Sequence, residues 1–512
     1  MPPITRPGAA ALVAVLAASV ALAPSTAPAD PGGRAAVDTS SSATPQQRVD
    51  VGSAGGLWAP ARLEVTISRP VQRVWLQPGT HFVAGDGAVE FTSTRTGYHS
   101  PVTTTWRNGA ATGALPAGTV TAFTGIDRFA TTTLTDHTGQ VVRRWRIRAC
   151  LGEGASRARP NAPAYSPYPA YPCSWNPYAL GTVQGVAAGW ATPLDRYTAL
   201  TAKMKRGRYT LTTALNSAIA DALGVAAADR TKTTTLVVRR HDHGHHEHLQ
   251  APASLPWAST SSAAVRSVLA SAEPAPSGAA EGAPVGPSPD LRSLPAWQIS
   301  LNRKTNLLRF GATVWNAGDS PLIIDGFRRA DEDAMDAYQY FFDAGGNQTG
   351  YQQVGEIKFH GGNHQHWHFQ DFARYRLLKA DQSPVRTSGK VSFCLANTDV
   401  VDYTVAGADW NPTNTDLSTD CGQPGSLSLR QVLAAGSGDT YAQFRTGQAF
   451  NIAALPNGWY WISVEANPSG RLVESDATNN VSLRKVWIGG KPGARRIRVP
   501  GVGIVDEPSV GY

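Results

Sequence analysis

Charge is scarce in this chain: of 512 residues, 16% are Asp, Glu, Lys or Arg. The formal balance is +8, yet no block of five or six Lys/Arg occurs. That excludes a basic stripe for nucleic acid and leaves at most a weak pull towards acidic polymers or cell surfaces. Cysteine is also sparse, with 4 residues, which excludes a disulfide-dense miniprotein but allows two bridges. Long apolar runs are confined to the start. Ala9–Ala23 is broken only by Ser19 and, at 15 residues, falls short of the roughly 20 that a membrane helix needs. No later segment is long and apolar enough to span. What is abundant is apolar side chain, 42%, too much for a disordered chain. At roughly 100–200 residues per domain, the length implies two to four domains.

The apolar run follows Arg6 and precedes Ala27-Pro28-Ala29, an A-x-A cleavage pattern. Residues 1–29 therefore read as a secretory signal peptide, and the mature chain is expected to be secreted and extracellular, with no membrane span. The first cysteine is Cys150, so no cysteine stands at the cleavage point to carry a lipid. In an oxidising compartment, four cysteines most simply mean two disulfides.

Residues 30–48, rich in Ser, Thr, Ala and Pro, read as a flexible lead-in. Beyond them, short alternating segments such as Arg62–Ser68, Gln72–Leu76, Val141–Arg148 and Thr233–Arg239 are separated by Gly, Pro, Asn and Asp, an all-β pattern. One helix is expected at Asn216–Ala228. Of the 40 residues from Ala251 to Asp290, 29 are Ala, Pro, Ser or Gly, which marks an interdomain linker over 249–289. A second β-rich region covers 290–490, with strands expected at Leu307–Trp315, Pro321–Asp325, Lys390–Leu395, Trp459–Glu465 and Val481–Ile488. Residues 491–512 form a tail.

The two β-rich regions, 49–248 and 290–490, share landmarks in one order. Asp127-Arg-Phe-Ala precedes Cys150 as Asp371-Phe-Ala precedes Cys394. Cys173 and Cys421 follow, then Gln184-Gly-Val-Ala-Ala-Gly189 and Gln431-Val-Leu-Ala-Ala-Gly436. Last come the Gly-Tyr segments Gly207–Asn216 and Gly458–Asn467. The expectation is two β-sandwich domains in tandem, arisen by duplication, each closing its own disulfide: Cys150–Cys173 and Cys394–Cys421. Loops of that size contribute about 3–4 kcal/mol each in the chain-entropy picture. The linker composition implies few contacts between the halves and a catalytic unit contained in Asp290–Gly490.

The most specific local feature is Asn363-His-Gln-His-Trp-His-Phe369. On a strand, His364, His366 and His368 share one face and Gln365, Trp367 and Phe369 the other. Three imidazoles without a thiolate suit Cu(II) or Zn(II). At roughly 3.3 Å per residue a flat strand holds the outer two about 13 Å apart, so a bulge or strong curvature is expected.

The run His364–Tyr375 resembles the copper-binding signature of the lysyl oxidase family. Gly389–Leu395 is similar to the segment carrying that family's cofactor lysine, and Gly438-Asp-Thr-Tyr441 to the segment carrying its cofactor tyrosine. The likeness continues through Glu465-Ala-Asn-Pro468 and Glu474–Asn480 and covers about Asp290–Gly490. Departures exist. His360 stands four residues before the triplet where animal members place a histidine three before, cysteines are fewer, and Ala442 and Ala477 replace common Gly and Tyr.

The resemblance implies a copper amine oxidase acting on peptidyl lysine or alkyl amines, with O2 as co-substrate and aldehyde, hydrogen peroxide and ammonia as products. His364, His366 and His368 are then the Cu2+ ligands, and Lys390 with Tyr441 the precursors of lysine tyrosylquinone. A general base is also required; Asp371, Asp439 and His360 are candidates, with Asp371 placed in the catalytic set. Asp290, Glu474, Asp476, Asn479 and Asn480 offer hard oxygen ligands for Ca2+. Counting between the halves places Thr121, Phe123 and Gly125 at the histidine positions, Arg146 at Lys390 and Leu194 at Tyr441, so the first half reads as a catalytically silent copy. His241, His243, His245, His246 and His248 form a separate cluster that either gathers metal loosely or is a polar junction.

An alternative from another class is a non-enzymatic, extracellular metal-binding sandwich that adheres to cell walls or matrix. A zinc hydrolase fits less well, because no carboxylate sits inside the histidine triplet to serve as its base.

Overall fold

The computed structural model describes residues 49, 51–240, 280–282, 286–329, 332–343, 346–360, 366–411 and 419–505. The signal peptide, the lead-in, most of the linker, the His241–His248 cluster, His364 and the last residues of the tail lie outside the described residues.

The protein is almost wholly β. The helix expected over Asn216–Ala228 is shorter, Ser217–Ala222, followed by a 3-10 turn at Ala227–Asp229. Asn216 caps it by accepting a hydrogen bond from the Ala218 N–H at 3.0 Å, and Gly224, at φ +68°, ends it in the left-handed conformation that glycine adopts at little cost. No helix among the described residues is long and apolar enough to cross a membrane.

Among the described residues the first half forms four sheets and the second three; three sheets of the first half correspond in strand order to those of the second, and its fourth pairs only Gln72–Trp75 with Thr201–Met204. In the first half, one sheet runs Gly181–Val186, Val89–Thr94, Thr103–Asn108, Ala111–Ala114. Its counterpart runs Ser428–Leu433, Leu322–Arg328, Ala334–Phe342, Gln348–His360, and then adds His366–Gln370 and Ser392–Phe393. A second sheet orders Gly56–Trp58, His81–Val83, Trp190–Pro193, Ser156–Arg157; its counterpart orders Leu291–Ser293, Leu307–Asn316, Ser437–Tyr441, Asp399–Val400. A third places Val141–Ala149, Ile126–Asp136, Gly207–Leu215 and Thr231–Arg240 side by side, matched by Pro384–Thr387, Ala373–Lys379, Gly458–Ala466 and Val481–Gly489.

Local contacts repeat as well. The N–H after each first cysteine donates to a buried glutamine: Leu151 to Gln184 at 3.2 Å and Leu395 to Gln431 at 3.1 Å. Asn216 N–H donates to the Phe129 carbonyl at 2.9 Å, and Asn467 N–H to that of Phe372 at 2.8 Å. Arg128 and Asp371, each just before its phenylalanine, both take a positive φ, 54° and 58°. Cys150 is bridged to Cys173, and Cys394 to Cys421.

Each half has its own apolar core. One is built around Phe82, Phe91, Phe129 and Leu236, the other around Phe310, Trp367, Phe393 and Ile462. The expected scarcity of contacts between the halves is not what the structure shows. Tyr178 and Leu180 of the first half pack with Leu294, Trp297, Trp315 and Val401 of the second. Arg484 donates to the Tyr178 hydroxyl at 3.1 Å, and the Tyr168 and Trp410 rings stack with centroids 6.3 Å apart. Backbone joins backbone too: Leu180 N–H donates to Val401 O, and Tyr403 N–H to Gly181 O at 3.0 Å. Linker composition was a poor guide because a loose connection does not decide whether the surfaces it joins are apolar.

Candidate active site

The histidine strand His366–Gln370 pairs antiparallel with the end of Gln348–His360, with His366 opposite His360 and His368 opposite Lys358. This ladder shows no bulge over His366–Gln370; the expected irregularity, if it involves His364, falls outside the described residues. Because pairing residues share a face, His360, His366 and His368 stand together. The Nε2 atoms of His366 and His368 are 2.8 Å apart, and the rings of His360 and His368 stack with centroids 4.5 Å apart and planes inclined by 29°. Ser392 Oγ lies 3.2 Å from both His360 Nε2 and His368 Nδ1. In the sequence His360 is a candidate base and the histidine four residues before the triplet; the structure places it beside His366 and His368 from the neighbouring strand. Strand pairing, which no sequence spacing records, is what brings it there.

Trp367 points the other way. It is fully buried, its indole N–H donates to Gln423 O at 2.8 Å, and its own backbone N–H donates to Cys421 O at 2.8 Å. The disulfide thus fixes the back of the histidine strand while the imidazoles occupy its front.

Lys390 lies in the loop that follows Pro384–Thr387, not in a strand as expected; the strand there is only Ser392–Phe393. Between corresponding sheet pairs, the first half spans Arg144 to Ala149 and the second spans Thr387 to Phe393, which is one residue more. In this longer loop the lysine is turned inward and buried, whereas Arg146 of the first half stays on a regular strand and is exposed. Gly447, at φ +87°, lies so close that a Cβ on it would stand 3.0 Å from Lys390 N and 3.1 Å from Lys390 Cβ. A side chain there displaces the lysine loop.

Tyr441 ends the strand Ser437–Tyr441, opposite Ala312. Its ring centroid is 4.5 Å from Lys390 Nζ, and its hydroxyl donates to Cys394 O at 3.2 Å. The Phe393 ring stands edge-on to the Tyr441 ring at 4.8 Å. Two residues back on the same face is Asp439, buried, whose Oδ2 has no hydrogen-bond partner among the described residues. Burial lowers the Lys390 ammonium to about 8, against the pull of Asp439 and with the push of Arg445. Burial raises Asp439 well above the usual carboxylate range, with Lys390 opposing. Burial likewise pushes up the Tyr441 and Tyr375 phenols. His360 is held below its usual value by burial, then by the positive charge of Lys390. The imidazole cluster and the lysine–tyrosine pair are therefore electrostatic neighbours.

Asp371 sits elsewhere in this frame. Its carboxylate is exposed on a left-handed turn, and its backbone N–H donates to Val391 O at 3.0 Å, next to Lys390. Asp439, not Asp371, faces the Lys390–Tyr441 pair.

The oxygen-rich cluster also assembles. Asn479 Nδ2 donates to Asp290 Oδ1 at 2.9 Å and to Asp476 Oδ2 at 3.1 Å. Glu474 Oε1 accepts from Asn480 and Asn467, and its Oε2 accepts from the Leu291 N–H. The amide oxygens of Asn479 and Asn480 are buried without a hydrogen-bond partner among the described residues.

In the first half, Ile126 pairs with Ala149 as Phe369 pairs with Phe393, which puts Phe123 and Gly125 where His366 and His368 stand. Phe123 borders a cavity of about 270 Å³ beside Arg95, Arg148 and Trp175. Both arginines are engaged: Arg148 with Asp127 at 2.7 Å and Arg95 with Ala179 O at 2.9 Å.

Residues 349–492 match the lysyl oxidase family model. The matched segment contains the described histidines, Lys390, Asp439, Tyr441 and the Glu474–Asn480 segment, and the match supports a copper amine oxidase-like function. No curated protein matches the chain. The first half lies outside the lysyl oxidase match.

Proposed function

We propose that the protein is a secreted, copper-dependent amine oxidase that converts primary amines, peptidyl lysine or alkyl amines, to aldehydes with release of hydrogen peroxide and ammonia. The observation that carries this reading is the approach of Lys390 Nζ to the Tyr441 ring beside a histidine cluster. The donor types suit Cu(II): the His366 and His368 Nε2 atoms face each other at 2.8 Å, and Ser392 Oγ is placed to hold the His368 Nδ1 and orient its ring. His364, His366 and His368 would hold the copper, with His360 beside them. Copper with O2 would supply the oxidising power that turns Tyr441 into a quinone joined to Lys390, and that quinone would be the electron sink for amine oxidation.

The chain's own residues do the rest. Desolvation keeps a large share of Lys390 neutral near pH 8, and only a neutral amine carries the lone pair needed to add to the Tyr441 ring once that ring has been oxidised to an ortho-quinone. Phe393 and the Cys394 carbonyl fix the plane and direction of Tyr441. Asp439, raised by burial, is suited to take and return a proton inside the pocket, including the α-proton of a bound amine. At the exposed turn, Asp371 offers negative charge to an incoming ammonium group.

Asp290, Glu474, Asp476, Asn479 and Asn480 would hold Ca2+ and tie the start of the second half to its end; the two partnerless amide oxygens suit a hard cation. The halves read as copies of one sandwich, on the matching sheet orders and the repeated glutamine and asparagine contacts, with the first copy catalytically silent.

The deciding experiment combines a quinone stain, a visible spectrum and peroxide release on copper-loaded protein. Quinone with amine-dependent peroxide supports the oxidase. Tight copper binding with neither crosslink nor peroxide favours the non-enzymatic metal-binding sandwich instead.

A further inference from the structure

The strand that carries Tyr441 has two faces, and different halves of the chain occupy them. Asp439 and Tyr441 point towards Lys390; Thr440, between them, points away. Thr440 Oγ1 lies 2.7 Å from Thr313 Oγ1 on the paired strand and donates to the Asp399 carboxylate. Trp297 Nε1 donates to Thr313 Oγ1 at 3.2 Å. Into this group reaches a side chain from the first half, Asn176, whose Nδ2 donates to Thr313 Oγ1 at 3.0 Å and which also hydrogen-bonds Asp399. Asn176 is buried, with 3% of its surface exposed.

Its orientation is fixed from its own side. Asn176 Oδ1 accepts the Tyr178 N–H at 3.0 Å, so the amide NH2 must face the second half. The loop is pinned in turn: Asn176 N–H donates to Ser174 Oγ at 3.2 Å, and Ala179 N–H to Asn176 O at 3.1 Å. Cys173, at the head of this loop, is tied to Cys150. The first half thus delivers one rigid amide to the back of the tyrosine strand.

We propose that Asn176 is a positioning residue for Tyr441: by bridging Thr313 and Asp399 it fixes the register and tilt of Ser437–Tyr441, and with them the approach of the ring to Lys390. This rests on the Lys390–Tyr441 reading above. It gives the silent half a role inside the active site instead of one as a distant docking module. Addition of the lysine amine to the Tyr441 ring, once copper and O2 have oxidised it to the quinone, depends on an approach held to a fraction of an ångström, so loss of one buried hydrogen-bond bridge behind the strand acts on the crosslinking rate.

The test compares Asn176→Ala and Thr313→Val with Tyr178→Phe, which removes the neighbouring hydroxyl contact to Arg484 at the same junction. Two readouts are followed on full-length protein. In copper-free protein, hydrogen exchange is read at the Ser437–Tyr441 amides. After copper loading, the fraction of Lys390–Tyr441 crosslinked peptide is read with time by mass spectrometry. The expected result is faster exchange confined to this strand, and crosslinking slowed about tenfold or more, in N176A and T313V, with Y178F close to wild type on both. Wild-type exchange and crosslinking in both N176A and T313V overturn the proposal. Equal slowing in all three also overturns it, since that is the signature of a generally loosened interface. If N176A does not fold, T313V decides alone. Absence of crosslink in the wild type sinks the underlying cofactor reading, and this proposal with it, and is told apart by the unsubstituted protein.

Discussion

The Lys390 ammonium nitrogen stands 4.5 Å from the centroid of the Tyr441 ring, although 51 positions separate the two residues in the chain. Three sheets meet to produce this. The lysine loop runs from Pro384–Thr387 of one sheet to Ser392–Phe393 of a second, and the tyrosine closes a strand of a third. Copper loading in air should yield a digest fragment joining the two residues. Lys390→Ala and Tyr441→Phe should each remove that fragment and the quinone stain. A crosslink that survives either change would show that the pair is wrongly assigned.

The rate of crosslinking should depend on pH. Lys390 is lowered to about 8 by burial, so its neutral fraction grows about tenfold per pH unit below that value and levels off above it. Arg445 is one source of the lowering, so Arg445→Ala should move the profile to higher pH. A flat profile from pH 6 to 9 would mean that lysine deprotonation does not limit the reaction.

Single replacement of His364, His366 or His368 by Ala should abolish quinone formation, since two imidazoles hold Cu(II) poorly. The fold should survive, because Trp367, Phe369 and the Cys394–Cys421 bridge secure the same strand from its other face. Copper titration by calorimetry, with circular dichroism for the fold, separates the two effects. Near-normal quinone in all three variants would exclude this metal site.

Phe393 is fully buried against Phe372, Tyr375 and Tyr441, at centroid distances of 5.7, 6.0 and 4.8 Å. Phe393→Ala should cost about 3–5 kcal/mol, read by urea unfolding. It should also free the Tyr441 ring and slow crosslinking in whatever protein remains folded. A loss below about 1 kcal/mol would mean the pocket collapses around the gap.

A chain lacking residues 30–250 should fail to form quinone. The removed half covers Leu294, Trp297, Trp315 and Val401 and supplies Asn176. Dye binding to exposed apolar surface, copper uptake and crosslink yield would report this. A truncated chain that matures normally would restore the simpler picture of an independent catalytic unit.

Much of this was legible in the sequence, where the signal was periodic or chemically unusual. Alternation gave the β class, and strands such as Thr231–Arg240 and Leu307–Asn316 fall within a few residues of their expected limits. The cysteine spacing and shared landmarks led to both bridges. The motif order brought Lys390 and Tyr441 together on paper before the fold did. What escaped was everything set by pairing across strands. His360 joins His366 and His368 only because two strands lie in register. Asp439 outranks Asp371 as the buried carboxylate only because of which face its strand turns inward. Asn176 reaches Thr313 across 137 positions, and nothing local in Ser174–Tyr178 announces that destination.

The junction at Gly181 carries a consequence for biogenesis. Gly181–Val186 is the outermost strand of its sheet, and the N–H groups of Leu180 and Gly181 find their acceptor in Val401, made some two hundred residues later. While the ribosome is still adding the second half, the first half can fold around its own core yet shows a ragged sheet edge flanked by Tyr98 and Tyr178. Such an edge recruits any extended chain that meets it, including the same edge on a neighbouring nascent copy. The yield of this protein at high expression should then be set by how soon Val401 arrives.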